Sequence, residues 1–235
     1  MHQPSQRPEQ RAPGSASTWF VIPLFNEAAV IGDVVRDLRT RYPLVVCVDD
    51  GSRDGSAAIA AAAGAAVVRH PFNMGQGAAL KTGMDYALRD PEMRQIVTFD
   101  ADGQHRVEDA ASMIALREAE GVDVVLGSRF LDERTRPGLV KRLVLRSAVL
   151  YTNLTSGVKL TDAHNGLRVI GRDACARLVI EQNRMAHASE IVDEIGRQRL
   201  SVREHPVHIL YTDYSRGKGQ SMLNSVNIII DMLFR

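Results

Sequence analysis

The chain has 235 residues, 45% apolar and 24% charged, with a formal charge of +1 at neutral pH. A chain of this length buries roughly 70–75% of its unfolded surface. It therefore needs no disulfide or metal staple to build a core, and its balanced charge excludes a general attraction to nucleic acid. The two cysteines, Cys47 and Cys175, share no metal-ligand spacing and no secretory signal accompanies them, so they are expected to be buried free thiols in a reducing cytoplasm.

Residues 1–17, MHQPSQRPEQRAPGSAS, lack an apolar core and read as a disordered tail, neither export signal nor anchor. From residue 18 short apolar runs alternate with helical patterns, the signature of βαβ units around a mostly parallel sheet flanked by helices. TWFVIPL is the first strand. Asn26 is placed to cap a helix through AAVIGDVVRDLRT, where Val30, Val34 and Leu38 recur every four residues. There follow the strand LVVCVDD, an Ala-rich helix from about Ala57, the short strand AAVVRH, a helix carrying Ala78 to Leu88, and the strand QIVTFDAD. A helix after Arg106 and the strand VDVVLGSRF complete the regular part. Beyond Phe130 the alternation loosens. The order there is a basic apolar helix, LVKRLVLRSAVL, a polar turn, TDAHNGLRVI, helices near 172–181 and 188–198, the strand VREHPVHI, the segment YTDYSRGKGQS and a last helix, SMLNSVNIIIDMLFR. Lys141, Arg142, Arg146, Lys159 and Asp231 interrupt the apolar stretches, so no membrane span is expected. With no repeat and no long linker, residues 18–235 are expected to form a single domain.

In open parallel sheets, ligands bind at the carboxyl ends of strands, where helix N-termini and free backbone amides collect. The polar clusters fall at those ends. Pro23, Asn26 and Glu27 follow the first strand, Asp49, Asp50, Gly51 and Ser52 the second, and Asp100, Asp102, Gln104 and His105 the fourth. Carboxylates gathered at one edge repel one another unless a divalent cation neutralises them. Asp-x-Asp with a Gln carbonyl offers the hard oxygens that Mg2+ or Mn2+ takes. Taken singly, the fragments are ambiguous. The run Asp49 to Ser52 can be a plain turn. Asp100 to Gly103 also resembles the first motif of haloacid-dehalogenase phosphohydrolases, but Gln104 stands where that family has Thr or Ser. Gly75, Gly77 and Gly83 fit the start of a helix with one close-packed face. A dinucleotide site is not expected, because the preceding strand ends in Arg69 and His70.

Together, VIPLFNEAAVIGDVV, VDDGSRDGS, HPFNMGQGAALKTG, VTFDADGQH, GSRF and TDAHNGLR resemble glycosyltransferase family two, in family order over about residues 18–221. The dolichyl- and polyprenyl-phosphate sugar synthases are its most similar branch. The resemblance implies an α/β nucleotide-diphospho-sugar transferase fold (GT-A, Rossmann-like), a nucleotide-sugar donor and an inverting reaction. The donor half would span about 18–130, the acceptor half about 131–221, and an amphipathic helix about 221–235. It further implies that Pro23, Phe25 (in place of the more usual Tyr), Glu27, Asp49 and Asp50 surround the nucleoside, with Asn73 and Gly75 beside the nucleotide. Asp100, Ala101 and Asp102 would meet the donor diphosphate, with Mg2+ or Mn2+ held by Asp100, Asp102 and Gln104. Arg129 and Arg168 would face an acceptor phosphate, and Lys218 would close on the donor; Asp162 is read from the residues alone, either as a base or as a group that orients Arg168.

The acceptor can be argued from acidity. A phosphate monoester is already mostly a dianion at neutral pH and needs cations to place it, whereas a sugar hydroxyl needs a positioned base. Arg129, Arg168 and the Lys141–Arg142 pair favour polyprenyl phosphate. Asp162, His164 and Glu190 are the bases that would serve a sugar hydroxyl in polysaccharide or glycolipid synthesis. A non-catalytic binding subunit is a third reading, opposed by the intact acidic cluster. Lys141, Arg142 and Arg146 among Leu and Val suit either an interfacial helix with snorkelling cations or a core helix with solvated ends. The stripe Met222, Val226, Ile229 and Leu233 suits docking to the domain or to a second copy of the chain. The expected location is cytoplasmic, peripheral on the inner face of the membrane, with a separate membrane protein as a further candidate partner and no nucleic acid.

Overall fold

A computed structural model of the chain describes residues 14–131, 149, 157–162, 165–184 and 186–210. Lys141, Arg142, Arg146, His164, Lys218 and the expected last helix lie outside the described residues. Seven strands make one sheet: β1 (Thr18–Leu24), β2 (Leu44–Asp49), β3 (Ala66–Arg69), β4 (Gln95–Thr98), β5 (Val124–Ser128), β6 (Arg168–Gly171) and β7 (Val202–Pro206). Their order is β3-β2-β1-β4-β6-β5-β7. Neighbours run parallel except at β6, which is antiparallel to both β4 and β5. Among the described residues six helices accompany them: α1 (Ile31–Arg39), α2 (Ser56–Ala62), α3 (Gln76–Leu88), α4 (Val107–Glu120), α5 (Arg172–Arg177) and α6 (His187–Arg197).

The central strands β1, β2 and β4 read as mostly apolar runs because both faces of the sheet are covered there, whereas the edge strands β3 and β7 are only partly buried. Along β1, Phe20, Ile22 and Leu24 join one core with Ile31, Val35 and Leu38 of α1, Ala60 of α2 and Ala110, Met113 and Ile114 of α4. Val21 points to the other core, with Ala79, Leu80 and Met84 of α3, Cys175 of α5 and Ile191, Val192 and Ile195 of α6. Cys47 and Cys175 are buried free thiols, and burial pushes both up to about 12. From β1 the chain adds β2 and β3 on one side and then returns to place β4 on the other. The carboxyl ends of β1 and β4 therefore flank a topological switch point, where the edge of such a sheet opens a crevice.

Three expectations are corrected. The segment 161–170, read as a polar turn, ends in β6, whose first residue Arg168 pairs with Thr98, the last residue of β4. Asn26 does not cap α1. It sits at φ 53°, its Oδ1 accepts from the Arg53 amide at 3.0 Å, and the helix starts at Ile31 with no side-chain cap. Finally, Ser15–Ser17, inside the stretch read as a tail, form a 3-10 turn. The Thr18 hydroxyl donates to the Gly14 carbonyl at 2.9 Å and the Arg94 amide to that of Ser17 at 2.8 Å.

Candidate active site

A cavity of about 600 Å3 opens at the carboxyl ends of β1, β2 and β4. Pro23, Leu24, Phe25 and Glu27 line it from β1, Asp50 from β2, and Thr98, Asp100, Ala101 and Asp102 from β4. Asn73, Gly75 and Gln76 come from the start of α3, Gly166 and Arg168 from the start of β6, and Arg184, His187 and Ala188 from the start of α6.

The acidic motif after β2 shapes the floor of this cavity. Ser52 Oγ accepts from the Asn26 amide at 2.9 Å, Ser56 Oγ from Glu27 at 2.8 Å and Asp54 Oδ2 from Ala28 at 3.0 Å, so the loop after β2 grips the loop after β1. Asp50 lies within the cavity wall and is fully satisfied. Its Oδ1 accepts from the Met74 amide at 2.8 Å and pairs with His70 Nδ1 at 2.7 Å, while Oδ2 accepts from the Gly75 amide at 2.8 Å. Asp49 is not part of the lining. It is fully buried and holds its own turn, accepting from the Ser52 amide at 3.0 Å and from Arg69 Nε at 3.2 Å. Gly75 has φ 106°, and a Cβ there would overlap the Asn183 carbonyl. This glycine and Gly77 admit the chain at 182–184 to the cavity wall.

Asp100 and Asp102 supply the carboxylates of the β4 end. Asp100 Oδ2 meets His105 Nε2 at 2.9 Å. Burial alone would raise the Asp100 carboxyl, but the charge and hydrogen bond of His105, with Arg168 and His187 nearby, hold it below the ordinary carboxylate value. Asp102 goes the other way: burial first, then the charge of Asp100, pushes it up to about 6. Its Oδ1 accepts from the Gln104 amide at 3.0 Å. Gln104 does not line the cavity, and its carbonyl accepts from the Leu210 amide at 2.9 Å. Gly166 lies so close to Asp100 that a Cβ would overlap Oδ2.

The expected cations separate. Arg168 is 2% exposed and lines the cavity; burial lowers its pKa, against the charges of Asp100 and Asp162. Arg129 is committed elsewhere, in a two-pronged pair with Asp162, Nε to Oδ2 at 2.6 Å and Nη2 to Oδ1 at 2.8 Å. Glu204 in turn holds Asp162 by accepting from its amide at 3.1 Å and from that of Thr161 at 2.9 Å. Glu190, a candidate base, accepts from the amides of Glu181 at 3.0 Å and Gln182 at 2.9 Å. Thr98, Gln76, Gly166, Arg184 and His187 were not singled out in the sequence. Thr98, Gln76 and Gly166 sit inside the motifs VTFDADGQH, HPFNMGQGAALKTG and TDAHNGLR, whereas nothing in the local sequence marks Arg184 or His187.

An open α/β sheet with an acidic crevice at its switch point is an architecture that binds ligands at that edge. Comparison with known proteins sharpens that class. Residues 19–179 match the family model described as glycosyl transferase family 2. The chain is 34% identical over 223 residues to an uncharacterized protein of Methanocaldococcus jannaschii, covering 92% of this chain and 91% of that one. It is 32% identical to the polyprenol monophosphomannose synthase of Mycolicibacterium smegmatis (94% and 84% covered). It is 28% identical to the UDP-N-acetylglucosamine–dolichyl-phosphate N-acetylglucosaminyltransferase of Methanococcus voltae (92% and 94% covered). The fold resembles glucosyl-3-phosphoglycerate synthase from Mycobacterium tuberculosis in complex with Mn2+ and uridine-diphosphate-glucose, with TM-score 0.67, 20% identity and coverage of 94% and 79%. The chain belongs to glycosyltransferase family 2, has the GT-A fold and is a glycosyltransferase.

Proposed function

We propose that the enzyme is an inverting, metal-dependent glycosyltransferase that moves a sugar from a nucleotide-sugar to a polyprenyl phosphate, working as a single domain on the cytoplasmic face of a membrane. The observation that carries this reading is Arg168, a buried arginine facing the same cavity as Asp100 and Asp102. A buried guanidinium beside carboxylates suits an anionic acceptor, because it places a phosphate without having to remove a proton. The names of the Methanococcus voltae and Mycolicibacterium smegmatis relatives, both of which act on lipid phosphates, support the same acceptor.

The residues present fit a divalent metal. Asp102, pushed up to about 6 beside Asp100, marks a site with more negative charge than it holds comfortably alone. Among the described residues no group of three or more His, Cys, Asp or Glu gathers as a metal cage. That agrees with Mg2+-type sites, where one or two carboxylates act with substrate phosphates and water. Asp100 and Asp102 would hold the ion. When bound, it would supply Lewis-acid stabilisation of the charge on the departing nucleoside diphosphate. Phe25, 44% exposed at the cavity wall, offers a face for the nucleobase, and Asp50 keeps the Asn73–Gly75 segment against the nucleoside. Arg168 orients the acceptor phosphate so that its oxygen meets the anomeric carbon from the face opposite the diphosphate. Asp162 and Glu204 keep the acceptor side rigid through Arg129. No described helix is long and apolar enough to cross a membrane. Peripheral attachment is proposed through Lys141, Arg142 and Arg146.

Incubation of the purified chain with a panel of nucleotide-sugars, Mn2+ and farnesyl phosphate tests the proposal. A glycosyl phosphate of inverted anomeric configuration, lost in EDTA, is expected. One observation favours transfer to a sugar hydroxyl instead. His187 lines the cavity, and its Nδ1 lies 2.7 Å from the Arg184 carbonyl, which can only accept. Nδ1 therefore carries the proton, and Nε2 is the basic nitrogen of the neutral ring. Glycosylation of a free sugar hydroxyl, with farnesyl phosphate ignored, would decide for that reading.

A further inference from the structure

Among the described residues two arginines line the cavity, and they differ in what they are tied to. Arg168 is buried among the charges of Asp100 and Asp162. Arg184 is exposed and takes part in none of the ion pairs among the described residues. Its backbone is nevertheless pinned. On one side, Asn183 O accepts from the Gly77 amide at 2.8 Å, and Glu190 holds the amides of Glu181 and Gln182. On the other, Arg184 O accepts from the His187 amide at 3.2 Å and from His187 Nδ1 at 2.7 Å. The side chain starts across Gly75, where a Cβ would stand 3.2 Å from Arg184 Cγ. A larger residue at 75 or 77 would push this segment off the cavity.

We propose that Arg184 is a phosphate-binding residue of the cavity, acting together with Arg168. The proposal rests on the reading of the cavity as a transfer site for phosphorylated substrates. Among the described residues the cavity's carboxylates are Glu27, Asp50, Asp100 and Asp102, and the compensating positive charge lies on the β6 and α6 side, where Arg168 and Arg184 stand. Arg168 is already shared with two carboxylates; Arg184 brings a planar fork of donors matched to phosphate oxygens. Its exposure lets the guanidinium swing onto a ligand while the pinned backbone keeps it within reach. The phosphate could be that of the donor diphosphate or that of the acceptor, and Arg184 identifies neither by itself.

Isothermal titration of the full chain with two probes separates these sources: inorganic pyrophosphate with Mn2+ stands for the donor, farnesyl phosphate for the acceptor. Arg184→Gln keeps much of the aliphatic stem over Gly75 and removes the charge; Arg184→Lys keeps a charge. Arg184→Gln is expected to weaken at least one probe tenfold or more, with Arg184→Lys recovering part of the loss and both variants unfolding at the original midpoint. The weakened probe names the phosphate, and a matching rise in KM for that substrate alone is expected in turnover. Binding of both probes within twofold of the original by Arg184→Gln overturns the assignment while leaving the cavity reading intact. If the unaltered chain binds neither probe, the cavity reading falls, and this proposal with it.

Discussion

Replacing Asp102 by Asn should make the metal-free protein more stable while removing its catalysis. In the folded chain the Asp102 carboxyl is pushed up to about 6, by burial first and then by the charge of Asp100, against an ordinary 3.8. At about pH 2.5 and below the group is protonated in both folded and unfolded chains, and it costs nothing. As pH rises from 4 toward 6 the unfolded chain releases its proton first, so the folded state loses ground, and above 6 the loss is complete. At 1.36 kcal/mol per pKa unit the full penalty is about 3 kcal/mol, and about 2 kcal/mol after allowance for partial solvent screening. Asp102→Asn deletes it. In EDTA at pH 7.5 the variant should unfold roughly 4–8 °C above the parent, at about 2–4 °C per kcal/mol for a chain of this size, whereas the gap should shrink as pH falls and close at about pH 2.5. Mn2+ with pyrophosphate should raise the parent's midpoint and leave the variant's nearly unchanged, because ligands that bind only the folded state stabilise it by mass action. Turnover should fall by roughly two to three orders of magnitude, as for the loss of a major electrostatic stabiliser. Equal midpoints for parent and variant at pH 7.5, or a variant less stable there, would refute the reasoning that Asp102 is a strained carboxylate awaiting a cation.

Other substitutions divide placement from chemistry. Arg129→Ala should destabilise by about 3–5 kcal/mol in urea titrations, because it removes the two-pronged partner of a carboxylate, Asp162, that is 1% exposed; Arg168→Ala should instead abolish transfer to farnesyl phosphate while Mn2+-pyrophosphate binding persists in calorimetry. Gly166→Ala, whose Cβ would overlap Asp100 Oδ2, should weaken Mn2+-pyrophosphate at least tenfold with the unfolding midpoint little changed; unaltered affinity would show that Asp100 is free to move. Glu190→Gln should keep turnover within about tenfold, since its carboxylate is spent on two backbone amides whose net worth is about 1 kcal/mol each; complete loss would reinstate it as a base. Joint replacement of Lys141, Arg142 and Arg146 by Gln should release the protein from anionic liposomes in flotation, at about 1 kcal/mol per cation.

The acid edge was legible because the strands that carry it are unmistakable. TWFVIPL, LVVCVDD and QIVTFDAD are apolar runs that stop at Pro, Asp and Asp, and burial on both faces is what keeps them apolar. The residues at those stops therefore had to share one edge. What each carboxylate does there was not legible. Asp49, the last residue of β2, and Asp50, the first beyond it, have different partners, one its own turn and Arg69, the other the amides at the start of α3 beside the cavity. Arg129 and Asp162 are 33 positions apart, and only the fold brings them into a two-pronged pair. Arg184 and His187 reach the cavity on a segment anchored to Gly77 through a backbone carbonyl, a contact that leaves no mark on the sequence except the glycines it needs.

The direction of β6 decides how the acceptor side meets the donor side. In a sheet of parallel strands, every strand ends at the crevice edge and begins at the far one. A strand RVIG inserted parallel to β4 would start with its arginine about three residues, roughly 10 Å, from the edge where Asp100 lies. Antiparallel insertion reverses this, since Arg168, the first residue of β6, pairs with Thr98, the last of β4. The Thr98 hydroxyl then donates to the Gly166 carbonyl at 2.6 Å, fixing the turn that delivers the arginine, and Gly166 is bare of a side chain where Asp100 needs the room. The motif TDAHNGLR is thus one device. Asp162 secures Arg129, Gly166 admits Asp100, and Arg168 enters the cavity beside it. A slip of one residue in the pairing of β6 with β4 would turn Arg168 to the other face of the sheet. Transfer should then be lost although every residue of both acidic motifs remains in place.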